Sequence, residues 1–200
     1  ATVCIQTGTT TELNLADFFR ANNISYEALP IETNDEAREN LFAGRCDVYT
    51  TDASGLAATR STFPNPGNHM ILPEIISKEP LGPATRQGDD MWADIVRWVY
   101  NATVTAEELG VTSSNVDSMK NANNPEIKRL LGTEGSQGQE LGLSKDWAYQ
   151  IIKQVGNYGE SYKRNIADPG ILPDRGPNQL WTKGGILYVP PARSVSYTHL

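Results

Sequence analysis

The chain has 200 residues, 38% of them hydrophobic, with a formal net charge of −7, two cysteines and two histidines. That is enough apolar material for one sizeable core or two small ones, and no run approaches the roughly 18 apolar residues of a membrane span. An acidic balance with no cluster of Lys and Arg excludes the phosphate neutralisation that nucleic-acid binding needs, and Cys4, Cys46, His69 and His199 have no companions at zinc spacing, so no metal site is expected.

Thr2-Val3-Cys4-Ile5 is a short apolar run that reads as a buried strand. The chain therefore opens directly within a sheet and is expected to be the C-terminal portion of a longer protein. Gly8-Thr9-Thr10-Thr11-Glu12 follows, with Thr9 and Glu12 at capping-box spacing. The helix it opens carries Leu13, Ala16 and Phe19 on one face, with Leu15 and Phe18 beside them, and fades at Asn22-Asn23. Ile24 to Ile31 alternates as a strand. Asn34 or Asp35 opens a second helix with Ala37, Leu41 and Phe42 inward and Gly44 as its stop. Cys46 to Thr51 is a third strand, Asp52 can cap a third helix to about Arg60, and His69 to Leu72 is a fourth strand. Strand and helix alternating through short loops predict an α/β fold with a parallel sheet and right-handed crossovers. Cys4 and Cys46 fall in separate strands, as two buried thiols or, in an oxidising compartment, as a disulfide.

Ser77-Lys78-Glu79-Pro80-Leu81-Gly82-Pro83-Ala84 sets two prolines around one glycine. That favours an extended crossing over a helix and marks a change of lobe at about residue 80. Gly88-Asp89-Asp90 then leads into a long amphipathic helix with Trp92, Ile95, Val96, Val99 and Tyr100 on one face. From Glu107 to Arg193 the pattern is helical in small pieces. One starts at Asn124-Pro125-Glu126, and another at Ser144-Lys145-Asp146 runs through Trp147, Ile151, Ile152 and Val155. Gly and Pro dominate from Asp168 to Gly185, while Trp147, Tyr158, Tyr162, Trp181 and Tyr188 call for burial. Ser194 to Leu200 read as a non-native or disordered tail.

In open parallel sheets ligands sit beyond the carboxyl ends of the strands. Gly8-Thr9-Thr10 lies at such an end and enters a helix, whose N-terminus offers backbone N–H groups and about half a positive charge. Gly8 lets a ligand approach the backbone, and the threonines add hydroxyl donors. The GxxxxGK of a phosphate loop is missing, so a carboxylate is the better guest. Asp52, at the end of the third strand, is acceptor-only and suits an ammonium. On neighbouring strands about 4.8 Å apart, the two ends would grip the opposite poles of a zwitterion such as an amino acid. Each half taken alone also reads as an ordinary helix cap.

The stretches Ile5-Gln6-Thr7-Gly8-Thr9-Thr10-Thr11-Glu12 and Ala43-Gly44-Arg45-Cys46-Asp47-Val48-Tyr49-Thr50-Thr51-Asp52 resemble the ligand-binding lobe of polar amino-acid solute-binding proteins. Ile75 to Pro83, Ile151 to Glu160 and Leu180 to Gly185 narrow the resemblance to the branch serving general L-amino-acid ABC importers, over nearly everything from Ala1 to Arg193. The resemblance implies a type II periplasmic-binding-protein fold of two lobes with parallel-core sheets and a hinge, lacking most of the first lobe. Residues 1–80 would be the second, ligand-binding lobe, and residues 81–193 the return to the first lobe plus a helical C-terminal extension. It further implies that Gly8, Thr9 and Thr10 meet the ligand carboxylate, that Asp52 meets its α-ammonium, and that Cys4 and Cys46 form a disulfide in the periplasm. The family's carboxylate-clamping arginine would lie upstream of Ala1. Arg45, Arg60 and Arg86 read as surface or structural, so the chain is expected to hold half a binding site.

The function so implied is reversible capture of L-amino acids for an ABC permease in the inner membrane, by a monomer without cofactor, metal, nucleic-acid partner or catalysis. Periplasmic dehydratases and lyases share the fold but need a placed Glu or His. His69 falls in a loop, and Glu12 serves as a capping partner. A sensor ectodomain would call for a membrane span after Arg193, where residues 194–200 supply none.

Overall fold

Val3, Cys4 and Ile5 are consecutive and all buried, which requires cover on both faces of their strand. A computed structural model of the chain describes residues 1–78, 81–172 and 174–191. Glu79 and Pro80 of the crossing segment, Arg193 and the tail 194–200 lie outside the described residues. The chain divides between Leu81 and Gly82 into two compact units.

In the first unit, β1 (Thr2–Gln6) is the centre of a three-stranded parallel sheet, in the order β2-β1-β3, with β2 at Glu27–Ile31 and β3 at Val48–Thr50. Val3 and Ile5 pack with Leu15 of α1 (Thr10–Ala21) and with Phe19 and Tyr26 on one face. Cys4 points the other way, toward Ile31, Cys46, Tyr49 and Ala37 of α2 (Asn34–Phe42). α1 and α2 thus cover opposite faces. The chain steps out from β1 to β2, then returns across β1 to β3, and the strand order reverses between β1 and β3.

Capping chemistry sets the helix ends. The Thr9 hydroxyl accepts from the Glu12 N–H at 3.3 Å and starts α1. Thr33, rather than Asn34 or Asp35, starts α2 by accepting from the Glu36 N–H at 3.2 Å, and the Glu36 carboxylate returns to the Glu32 N–H at 2.8 Å. α2 ends as a Schellman motif. Gly44 takes φ +67°, its N–H reaches the Leu41 carbonyl at 3.1 Å, and the Arg45 N–H reaches Asn40 at 2.9 Å. α3 (Ala53–Ser61) follows β3.

Several apolar runs differ from their predicted use. The inward face of α1 is Leu15 and Phe19, while Leu13 is 67% exposed. Phe42 is half-exposed, its ring set edge-on against Phe63 and near His69. The paired parts of β2 and β3 are shorter than the runs Ile24–Ile31 and Cys46–Thr51. His69 to Leu72 is not a fourth strand: a 3-10 turn at Pro66–Asn68 precedes it, it pairs with no described strand, and Met70 is 78% exposed. A short apolar run does not make a strand without a ladder to join.

Cys4 and Cys46 form a disulfide, both ends buried, across a sequence separation of 42. It links the central strand to the residue that leads into β3. Closing a loop of that length removes enough unfolded-state freedom to stabilise by about 4 kcal/mol. Reduction, or the pair of Cys→Ala substitutions, is therefore expected to lower the unfolding free energy of the first unit by that order, read as a lower urea midpoint in denaturant titration with and without reductant.

The second unit is built from helices: α4 (Asp90–Glu108), α5 (Val116–Met119), α6 (Pro125–Leu130), α7 (Gln137–Glu140), α8 (Trp147–Val155) and α9 (Tyr158–Tyr162). Asp89 caps α4 and Asn124 caps α6, with Pro125 at the first helical position. Ala102 and Ala106 of α4 pack with Ile127, Leu131, Trp147 and Ile152 in the main core. The predicted inward face of α4 starts too early, since Trp92 is half-exposed. Trp147 and Tyr162 are buried as expected, whereas Trp181 and Tyr188 are exposed and meet edge to face, with the Trp181 indole donating to Glu108 at 2.7 Å.

The run Asn157-Tyr158-Gly159-Glu160 organises this unit. Asn157 and Glu160 form a reciprocal capping box, the Asn157 amide donates to the Val111 carbonyl at 2.8 Å, and Glu160 accepts from the Ser113 hydroxyl at 2.6 Å. A Cβ on Gly159 would come within 2.9 Å of the Glu107 carboxyl carbon. Glu107 in turn holds Arg175 through two bonds of 2.6 and 3.1 Å, and the guanidinium lies 5.4 and 5.3 Å from the ring centres of Tyr158 and Tyr162. Both side chains are nearly buried, at 13% and 9% exposure.

Arg175→Ala would strand a buried carboxylate and is expected to cost about 3–5 kcal/mol. Arg175→Lys, which keeps the charge and loses the fork, should fall between it and wild type by chemical denaturation. Burial alone would raise the Glu160 carboxyl, but the hydrogen bonds from Ser113 and from the Asn157 and Ser113 backbone outweigh it and hold the group below its ordinary range. A depressed carboxyl contributes stability above its unfolded value of about 4.3 and loses it as pH falls through the folded value. Ser113→Ala should therefore flatten the acid limb of the stability–pH curve.

Candidate functional site

The strand order reverses between β1 and β3, and the connections at their carboxyl ends leave on opposite faces of the sheet, the position at which open α/β sheets bind ligands. The register pairs Ile5 with Thr50. Gly8-Thr9-Thr10 and Asp52 therefore leave adjacent parallel strands at the same end of the sheet, a few residues past the last ladder pair. Gly8 and Thr10 are exposed there, and Thr9 and Asp52 are half-buried.

The groups of the first loop are not equivalent. Gly8 takes φ +70°, which glycine alone adopts readily, and open space lies where a side chain would be. Its N–H is already held at 2.9 Å by the Glu12 carboxylate. This differs from the capping box suggested by the Thr9–Glu12 spacing, in which Glu12 would return to Thr9. Thr9 gives its hydroxyl proton to the Gln6 carbonyl at 2.7 Å and accepts from the Glu12 N–H. Its side chain is a helix cap, so what it can offer a ligand is backbone. Thr10 is the first residue of α1, at the end where the helix dipole favours an anion.

Asp52 sits at the N-cap position of α3. Its carbonyl accepts from the Leu56 N–H at 2.8 Å, yet its carboxylate makes no cap bond to the helix. Beside it, the Tyr49 hydroxyl donates to Asn34 Oδ1 at 2.5 Å. Burial pushes the Tyr49 phenol up, a hydrogen bond with Thr51 draws it down, and the Asp52 carboxylate pushes it up again. The sequence reading missed Tyr49, which it took only as part of a strand. It also passed over Gly55, an isolated glycine inside a helix, a pattern that often has a packing reason.

Arg45 and Arg60 are engaged by their near neighbours in the chain. Arg45 Nε donates to Asn40 Oδ1, and Arg60 Nε donates to the Pro66 carbonyl at 3.0 Å. His69 lies among the rings of Phe42 and Phe63. Among the described residues no group of His, Cys, Asp and Glu could hold a metal ion, and no helix is long and apolar enough to cross a membrane.

No protein-family model matches the chain. It is 58% identical over 196 residues to the general L-amino acid-binding periplasmic protein AapJ of Rhizobium johnstonii, covering 96% of this chain and 58% of that protein. It is 54% identical over 195 residues to the glutamate/glutamine/aspartate/asparagine-binding protein BztA of Rhodobacter capsulatus, with coverage of 96% and 58%. A solved ABC transporter periplasmic binding protein from Brucella ovis, with glutathione bound, superposes with a TM-score of 0.92 at 53% identity, over 96% of this chain and 61% of that one. The chain thus spans about three-fifths of the length of the proteins it matches. With identity above one half over 96% of its residues, and an α/β periplasmic-binding fold in common, the chain corresponds to a portion of proteins of the kind named as periplasmic amino-acid-binding proteins of ABC transporters.

Proposed function

We propose that this chain carries the ligand-gripping portion of a periplasmic protein that captures free L-amino acids reversibly and hands them to an ABC permease in the inner membrane. The observation that carries the reading is the adjacency of β1 and β3, which sets a helix N-terminus and an uncapped aspartate side by side at the switch point of the sheet. An α-amino acid carries a carboxylate and an ammonium on one carbon, the two charges that this pair of groups would meet. Residues 1–80 form the ligand-binding lobe in this reading, and residues 81–193 return to the other lobe and extend it. The names of the relatives, one for L-amino acids in general and one for glutamate, glutamine, aspartate and asparagine, support polar α-amino acids as the ligand class.

Within the site, Gly8 supplies the turn and an open approach, Thr9 its backbone, and Thr10 its place at the head of α1, all toward the ligand carboxylate. Asp52 accepts from the α-ammonium. The work is binding by a monomer, with no bond made or broken. Each charge-assisted contact is worth about 1.5–3 kcal/mol, or roughly 10- to 100-fold in affinity. Asp52→Ala in the full-length protein should weaken L-glutamine binding by that factor in calorimetry, with the circular dichroism spectrum and melting point unchanged because the carboxylate caps nothing. Unaltered affinity would sink the reading, and a collapsed fold would reassign Asp52 to α3.

A further inference from the structure

An aspartate at an N-cap ordinarily accepts from the N–H two or three residues on. Asp52 does not, although the Gly55 N–H stands at that spacing. The turn that carries it is held from two sides. From the sheet side, the Tyr49 hydroxyl donates to Asn34, the first residue of α2, and so anchors β3 two residues before the turn. From the helix side, Gly55 lies so close that a Cβ there would come within 3.2 Å of Thr51 Cγ2 and 3.9 Å of Asp52 Cβ. Glycine is the poorest helix former after proline, so its place in the first turn of α3 is a local cost that this close approach explains.

We propose that Tyr49 and Gly55 are positioning residues that clamp the Thr51–Asp52 turn and keep the Asp52 carboxylate off the α3 backbone, available to a ligand ammonium. The inference rests on the reading of Asp52 given above. A methyl group at position 55 would make Thr51 Cγ2 give by a few tenths of an ångström and would stand in contact with Asp52 Cβ, crowding the turn. Removing the Tyr49 hydroxyl frees the other side of the turn while leaving the ring in its place against Cys4, Ile31, Ala37 and Cys46. Charge-assisted hydrogen bonds are directional, so small displacements lower affinity before they lower stability.

The test uses L-glutamine calorimetry and thermal unfolding on the full-length wild type, Asp52→Asn, Gly55→Ala and Tyr49→Phe. Gly55→Ala should keep or raise the melting point, since alanine suits a helix better, while binding falls roughly three- to tenfold. Tyr49→Phe should bind more weakly by a similar factor. Wild-type affinity in both variants, alongside loss in Asp52→Asn, overturns the clamp and leaves the reading of Asp52 standing. Affinity losses that merely track lowered melting points also overturn it. Equal binding by wild type and Asp52→Asn refutes the underlying reading instead.

Discussion

The pairing of β1 with β3 is the constraint on which the first unit depends. These strands are far apart in sequence, and their neighbourhood is enforced twice, by the parallel ladder and by the Cys4–Cys46 bond just below it. The ladder fixes which residues leave the sheet together, and the covalent link holds the arrangement against a slip. A one-residue slip in register would turn every side chain of β3 to the other face. Tyr49 would leave the α2 core, and its bond to Asn34 would be lost. The site and the core therefore share one alignment.

Much of this was legible in the residues. Thr-x-x-Glu and Gly44 marked helix ends because capping is local chemistry, decided within four or five positions. Alternating apolar runs gave the parallel sheet for the same reason. The errors are non-local. His69 to Leu72 has the composition of a strand, but whether a ladder partner waits for it depends on the rest of the molecule. Leu13 and Trp92 sit on plausible apolar faces that are left exposed among the described residues. The destination of the Glu12 carboxylate was also hidden, since Gly8 and Thr9 both lie within its reach and the left-handed turn at Gly8 decides between them. Tyr49 escaped notice because nothing in a strand pattern says where a hydroxyl will end.

The second unit shows how a motif can be structural throughout. Asn157, Gly159 and Glu160 each answer a particular demand: a carbonyl to satisfy at Val111, a close approach to Glu107, and donors to accept at Ser113. Arg175, distant in sequence, completes the arrangement through Glu107 and two tyrosine rings. A buried ion pair adds little over a well-packed apolar pair, but this one is specific in geometry, since the guanidinium also donates to the Asn178 carbonyl. It fixes the loop carrying Arg175 to one place on α4.

The bond between Glu12 and the Gly8 N–H bears on how a ligand is met. A glycine-containing loop left to itself would sample many conformations, and ordering it on contact would subtract from affinity. Here the ordering is complete when the protein folds, through a side chain belonging to the helix that the loop introduces. In the proposed reading, capture requires no rearrangement of this loop, and encounter would proceed at a rate set by diffusion and by whatever else closes over the guest.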